Sequence, residues 1–218
     1  MGEKAVCLIS GGMDSAVAAA IAKSEGYKIY AITFNYGQKN KKEIEAAKEI
    51  AKWLGAEHKI LDVNLRQIGG SALTDNIEIP EEAKGIPPTY VPARNTIFLS
   101  FALAYAEVID ADYVFIGVNA VDYSGYPDCR PEYIEAFQRM ANLALKRSIE
   151  GRPIKIKAPL LYLSKAEIAK RGYKLRVPFE KTWSCYREGE KACGRCPSCK
   201  LRMKAFEEAG VRDPIEYE

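Results

Sequence analysis

Apolar and polar positions along the chain follow two alternating rhythms. Short runs rich in β-branched and aromatic residues, AVCLI (5–9), KIYAITFNY (28–36), HKILDV (58–63), YVFIGV (113–118) and IKIKAPL (154–160), read as strands. Between and after them, apolar residues recur at helical spacing over 14–25, 40–54, 94–110, 131–148 and 164–171. One helix start is marked chemically, because Ser164 and Glu167 in SKAE have the spacing of a capping box. Strand followed by helix, repeated five times, predicts an α/β fold with a doubly wound, parallel, five-stranded sheet covered on both faces. In such sheets ligands bind beyond the carboxyl ends of the strands, which directs attention to the loops after residues 9, 36, 118 and 160. Residues 64–93 show little periodicity and hold four prolines, the pattern of a functional loop or lid over a site. There is no internal repeat and no low-complexity segment.

At 218 residues the chain is long enough to bury roughly 70% of its unfolded surface without covalent staples. The net charge is only +3, so a nucleic-acid footprint would have to come from clustering in space. The longest basic run, KNKK at 39–42, is followed by Glu43 and Glu45 at helical spacing and reads as a solvated helix face. The opening MGEKAVCLIS lacks the long apolar stretch of a signal peptide, and no apolar run approaches the ~20 residues of a membrane span. A cytoplasmic protein with no membrane partner is expected. In that reducing setting the six cysteines call for an explanation by metal binding or reactivity rather than by disulfides.

The loop after the first strand reads SGGMDS (10–15) and runs straight into a helix. A glycine-rich turn at a helix N-terminus brings backbone N–H groups close to an anion and is a phosphate seat. It lacks the lysine of a P-loop and the three spaced glycines of a dinucleotide fingerprint, so neutralising charge must come from a metal ion or from basic residues elsewhere. Lys165 opens the helix after strand five, within reach of such a phosphate; the alternative is an ordinary surface lysine of that helix.

Near the other end, CYREGEKACGRCPSCK sets Cys185, Cys193, Cys196 and Cys199 as C-x7-C-x2-C-x2-C. Four thiolates at such spacing suit a closed tetrahedral site, for which Zn²⁺ is the usual ion and an iron–sulfur cluster the alternative. Cys7 reads as core filler and His58 as a packing residue, while Cys129 lies in a polar loop near the inferred site. That loop offers Asp122, Tyr123, Tyr126, Asp128 and Arg130: acceptors, stacking faces and a planar cation, a set suited to a flat heterocycle with N–H donors on one edge. The pattern divides the chain into a nucleotide-binding α/β domain, residues 1–175, and a cysteine-bearing segment, residues 176–218, packed on the same domain.

The SGGMDS loop resembles the PP-loop of the ATP pyrophosphatases, which adenylate a carbonyl oxygen and release pyrophosphate. Together with FNYGQ, VPARN, GVNAVDYSGYPDCRPEYI, PLLYLSKAEI and the final cysteine block, in this order over essentially the whole chain, it resembles the 7-cyano-7-deazaguanine synthase family. The resemblance implies an adenine nucleotide alpha hydrolase-like fold in an ATP-dependent carbon–nitrogen ligase. Such an enzyme makes a nitrile from 7-carboxy-7-deazaguanine and ammonia on the route to queuosine and archaeosine, and is a homodimer using Mg²⁺ and one structural Zn²⁺ per subunit.

By the same resemblance Ser10, Asp14, Ser15 and Lys165 act on the phosphates. The nucleotide is held by Leu8, Ile9, Ser10, Gly11, Gly12, Met13, Asp14, Ser15, Ala16, Val17 and Ala18, with Thr33 and Phe34 bordering adenine and Arg94 steadying a phosphate or the substrate carboxylate. Asp122 or Asp128 would read the deazaguanine edge, with Tyr123 or Tyr126 stacking and Arg130 nearby. Three positions depart from the family pattern: Asn35 where Asp is expected, Asn40 where His is expected, and Ala93 where Gly is expected. A PP-loop tRNA sulfurtransferase, or a related adenylating enzyme with another substrate, is the competing reading.

Overall fold

In the computed structural model, which describes residues 2–80, 85–121, 126–187 and 189–218, five parallel strands form one sheet. The strands are β1 (Lys4–Leu8), β2 (Lys28–Asn35), β3 (Glu57–Asp62), β4 (Tyr113–Phe115) and β5 (Lys155–Lys157), in the order β3-β2-β1-β4-β5. All four pairings are parallel. The helices are α1 (Met13–Ser24), α2 (Lys42–Leu54), α3 (Arg94–Val108), α4 (Pro131–Ala144), α5 (Lys146–Ile149), α6 (Lys165–Lys174) and α7 (Pro197–Ala209). The predicted doubly wound α/β architecture is the observed one.

Period-two alternation along the inner strands builds both cores. Ala5, Cys7, Ile29, Ala31 and Phe115 face α1, α2, α6 and α7, whereas Val6, Leu8, Tyr30, Ile32, Phe34 and Val114 face α3 and α4. Helix α1 is alanine-rich and buried from Ala16 through Ala22, thin enough to lie between the sheet, α2 and α6. Gly172 permits the close approach of α6, since a Cβ there would stand 2.3 Å from Phe179 Cζ and 2.7 Å from Val17 Cγ2. The predicted capping box is present: Ser164 Oγ accepts from Glu167 N at 3.2 Å, and the Glu167 carboxylate accepts from Ser164 N at 2.7 Å.

Two predicted elements need correction. The helix expected over 131–148 breaks at Leu145, whose extended backbone (φ −94°, ψ 140°) redirects the chain so that Arg147 is buried against Asp112 at 3.0 Å. Helix α7 was not expected at all, although Pro197 at its start and Gly210, left-handed at its end, are the usual boundary residues. Phe206 and Ala209 of α7 join the same core as β1, which packs the carboxyl-terminal segment onto the sheet domain.

Strand order reverses between β1 and β4, so the chain leaving β1 and the chain leaving β4 diverge and open a crevice. The first loop of interest, residues 10–15, starts there.

Candidate active site

A cavity of about 280 Å³ lies at this switch point. Its floor is the SGGMDS loop, drawn tight by its own hydroxyls. Ser15 Oγ accepts from Ser10 N at 3.1 Å and from Ser10 Oγ at 3.0 Å, and donates to the Gly12 carbonyl at 3.0 Å. Helix α1 begins at Met13 with Gly12 as its N-cap and no side-chain cap, so the first-turn N–H groups are left for a ligand.

Two glycines make the geometry possible. Gly11 has φ +83°, and a Cβ there would stand 2.2 Å from the Glu43 carbonyl oxygen, so the loop is pressed against the first turn of α2. Gly117, just beyond β4, would put a Cβ 2.8 Å from Ser15 N and 2.9 Å from the Asp14 carbonyl.

Lys165, at the start of α6, ion-pairs with Asp14 Oδ2 across the cavity. Asp14 Oδ1 is buried and has no hydrogen-bond partner, a carboxylate oxygen with capacity for a cation. Arg94 opens α3 and lies over the Tyr36 ring at 5.9 Å. Its guanidinium stays charged, since the attraction of Tyr36, Tyr126, Asp128 and Cys129 outweighs the cost of burial. Burial pushes the Cys129 thiol up to about 11, which keeps it protonated at neutral pH. Phe34 stacks on Phe98 with ring centres 4.0 Å apart and forms an apolar wall.

Of the other nucleotide residues expected from the sequence, Leu8, Ile9, Ser10, Gly12, Met13 and Ser15 line the cavity, while Gly11 supports the loop from behind. Ala16, Val17 and Ala18 do not reach it; they are buried in the core beneath. Thr33 does not reach it either, because its hydroxyl donates to the Ile9 carbonyl at 2.7 Å and pairs with His58 Nε2 at 2.8 Å. His58, expected as a packing residue, thus packs on the sheet with its ring bonded to β2.

The expected substrate set divides. Tyr126 lines the cavity and shares a hydrogen bond with Thr89 at 2.8 Å. Asp128 is buried with its carboxylate accepting from Asn95 N at 3.0 Å, so it fastens the start of α3. It and Arg130 line a separate, more open hollow of about 370 Å³ with Tyr90, Ala93 and Tyr133. Asp122 and Tyr123 lie outside the described residues.

The four cysteines of the carboxyl-terminal block are all buried, with their sulfur atoms within 4.8 Å of one another. A tetrahedral zinc with Zn–S of ~2.3 Å needs S···S separations of about 3.8 Å, which this cluster reaches with small side-chain adjustments. Backbone amides already point at the sulfurs: Arg187 N and Cys193 N donate to Cys185 Sγ at 3.4 Å, and Cys196 N to Cys193 Sγ at 3.3 Å. Four buried thiols this close, with backbone amides aimed at their sulfurs, form a donor set that fits a soft, thiolate-binding cation.

The same segment closes the cavity. Trp183 N donates to the Gly11 carbonyl at 2.8 Å, and Trp183, Ser184 and Tyr186 form part of the wall.

The model of the family described as "Queuosine biosynthesis protein QueC" matches residues 4–210. Proteins named 7-cyano-7-deazaguanine synthase are similar over nearly full length. The one from Citrifermentans bemidjiense is 56% identical, covering 100% of this chain and 99% of its own. That from Saccharophagus degradans is 57% identical, covering 99% and 98%. The chain belongs to the 7-cyano-7-deazaguanine synthase family.

Solved structures add the fold. NMN synthetase from Francisella tularensis matches with a TM-score of 0.52 at 18% identity, covering 97% of this chain and 79% of that one. A predicted subunit of tRNA methyltransferase from Methanocaldococcus jannaschii matches with 0.51 at 19%, covering 98% and 90%.

Several cavity residues of this family member escaped the sequence reading. Glu43 does not belong to a solvated face: Glu45 is exposed and pairs with Lys48 at 2.8 Å, but Glu43 is half-buried and lines the cavity. Burial pushes its carboxyl up to about 7, against the opposing pull of Arg94. Its nearness to FNYGQ, at the end of strand two, was the available signal. Trp183 and Tyr186 flank Cys185, and their place in the cavity wall follows from the fold of the cysteine segment, not from any local pattern.

Proposed function

We propose that this protein converts 7-carboxy-7-deazaguanine, ammonia and ATP into 7-cyano-7-deazaguanine, through an adenylated acid, an amide and an adenylated amide. The observation that carries the reading is full-length identity of 56–57% with proteins of that name, in a chain whose PP-loop floors an aromatic-walled cavity.

A carboxylate is a poor electrophile, so its oxygen first attacks the α-phosphorus of ATP and expels pyrophosphate. Ammonia then displaces AMP to give the amide; adenylation of the amide oxygen and loss of a second AMP leave the nitrile. Ser10, Gly11, Gly12, Asp14 and Ser15 hold the leaving pyrophosphate through backbone N–H groups and the α1 dipole. Lys165 and Arg94 neutralise phosphate or carboxylate charge, and Phe34 borders the adenine. The free Asp14 Oδ1 and the phosphates suit Mg²⁺, which when bound neutralises the charge that builds on the leaving pyrophosphate.

Cys185, Cys193, Cys196 and Cys199 hold a structural Zn²⁺ in segment 176–218, which braces the nucleotide domain, residues 1–175. The deazaguanine edge is assigned to Asp122, with Tyr123 or Tyr126 stacking. Asp128 is the weaker choice, since its carboxylate is taken up by Asn95. We further propose a cytoplasmic homodimer that handles the free base and not tRNA; among the described residues no helix is long and apolar enough to cross a membrane.

The test is a mass-spectrometric assay with ATP, Mg²⁺, ammonium and 7-carboxy-7-deazaguanine that follows base and nucleotide together. Nitrile appearing with AMP supports the reading. AMP without nitrile keeps the loop assignment and removes the substrate; untouched ATP in folded, zinc-loaded protein removes both.

A further inference from the structure

Ammonia carries three hydrogens and a nitrile nitrogen none, so the proposed reaction must take three protons from nitrogen in each turnover. One leaves as nitrogen bonds to the acyl carbon and the carbon–oxygen bond to AMP breaks. A second leaves as the amide oxygen is adenylated, and a third as AMP departs and the triple bond forms. Each step asks for a base in the cavity.

Among the described residues lining the cavity, most acids and bases are committed elsewhere. Asp14 is paired with Lys165, and the phenols of Tyr36 and Tyr186 are driven upward by burial. The Cys129 thiol is likewise protonated, and His58 lies outside, bonded to Thr33.

Glu43 differs from all of these. Its carboxylate is in no hydrogen bond or ion pair among the described residues, with Arg94 as its nearest opposing charge, and Gly11 lets its helical turn press directly on the SGGMDS loop. It is half-buried rather than sealed, so collected protons can pass to water through the cavity.

We propose, resting on the nitrile-forming reading above, that Glu43 is the general base that accepts the nitrogen protons during amide and nitrile formation. The charged and titratable groups facing it are Arg94 from α3, Tyr36 after β2, Tyr126, Tyr186 from the cysteine segment, and the Asp14–Lys165 pair. With its carboxyl near 7, it is matched to proton transfer at neutral pH.

The test uses the full-length protein with Glu43→Gln and Glu43→Asp. Exchange of labelled pyrophosphate into ATP, dependent on 7-carboxy-7-deazaguanine, reports the first adenylation, which moves no nitrogen proton. Conversion of the amide to the nitrile with ATP alone reports the proton-losing half without interference from ammonium. In Glu43→Gln, exchange stays within about threefold of wild type while amide conversion falls by ~10²–10³-fold and loses its decline below pH 7, with partial recovery in Glu43→Asp. Equal loss in both assays, or amide conversion within tenfold of wild type, overturns the role of Glu43. Absence of exchange and nitrile in the wild type overturns instead the function on which it rests.

Discussion

Ala93 caps helix α3 in the left-handed conformation, φ 53° and ψ 21°, immediately before the cavity residues Arg94 and Asn95. For an L-residue this geometry costs roughly 1–2 kcal/mol that glycine does not incur. The methyl group recovers little of it, because Ala93 is exposed. Its backbone bonds, N–H to Tyr90 Oη at 3.2 Å and carbonyl from Ile97 N at 3.0 Å, survive replacement. Against the gain stands the greater freedom of glycine in the unfolded chain, about 0.4–1 kcal/mol. Ala93→Gly is therefore expected to stabilise the fold by about 0.5–1 kcal/mol, a rise in Tm of roughly 1–4 °C for a chain of this size. The measurement is thermal unfolding of both proteins at one zinc loading, with amide conversion recorded alongside and expected within twofold of wild type. A fall in Tm would refute the reasoning, since the methyl would then contribute more to the fold than its backbone angles cost.

Further outcomes follow from the site. Asp14→Ala should abolish pyrophosphate exchange, by ~10²-fold or more, while zinc content and Tm stay near wild type; retained exchange would remove Asp14 from the phosphate site. Chelation of the metal, or Cys196→Ser, should cost several kcal/mol and lower solubility before any specific kinetic defect, as measured by metal analysis and unfolding; a stable but inactive Cys196 variant would make the cluster catalytic. Glu43 also ties stability to pH. The folded carboxyl titrates near 7 and the unfolded one near 4.5, so the folded state holds the extra proton and stability declines as pH rises through that window. Glu43→Gln lacks the decline; its Tm advantage over wild type, near zero at pH 4, should reach the equivalent of about 1–2 kcal/mol by pH 8 after allowance for partial exposure.

The alternation of apolar strands and helical faces makes the sheet, its parallel sense and the switch-point loops legible in the sequence alone. What escaped was set by tertiary closure. A glutamate in the first turn of a charged helix looks the same in sequence whether it meets water or a cavity; Glu43 becomes half-buried only because Gly11, Tyr36 and the Tyr186 segment close over α2. The break at Leu145 depends on Arg147 finding Asp112 35 residues away in sequence, beyond any local pattern. Helix α7 was hidden for another reason: its first turn carries Cys199, and a metal-ligand spacing says nothing about the secondary structure that presents it. Edge strand β3 lies within a residue of its predicted span, whereas β5 covers only Lys155–Lys157 of the predicted 154–160, and both are largely exposed at the sheet edges.

Asn35 and Asn40, where the resemblance leads to the expectation of Asp and His, are both explained by their neighbours. Asn35 Nδ2 donates to Asp62 Oδ1 at 2.7 Å across β2 and β3; an aspartate at 35 would oppose a second carboxylate at that distance. Asn40 is buried and uses its amide fully. Its Nδ2 donates to the carbonyls of Cys185 and Arg187 at 3.0 Å each, and its Oδ1 accepts from Lys42 N at 3.0 Å. A neutral imidazole has one donor and one acceptor and matches two of these three bonds at most. The asparagine thus fastens the start of α2, which carries Glu43, to the backbone around the first cysteine of the metal cluster. Trp183 fastens the same backbone to Gly11, so the cysteine segment holds both the phosphate loop and the helix turn beside it. On the proposed reading, a metal held by these buried cysteines would act on the reaction only indirectly, by fixing the spacing between the SGGMDS loop and the turn of α2 that carries Glu43.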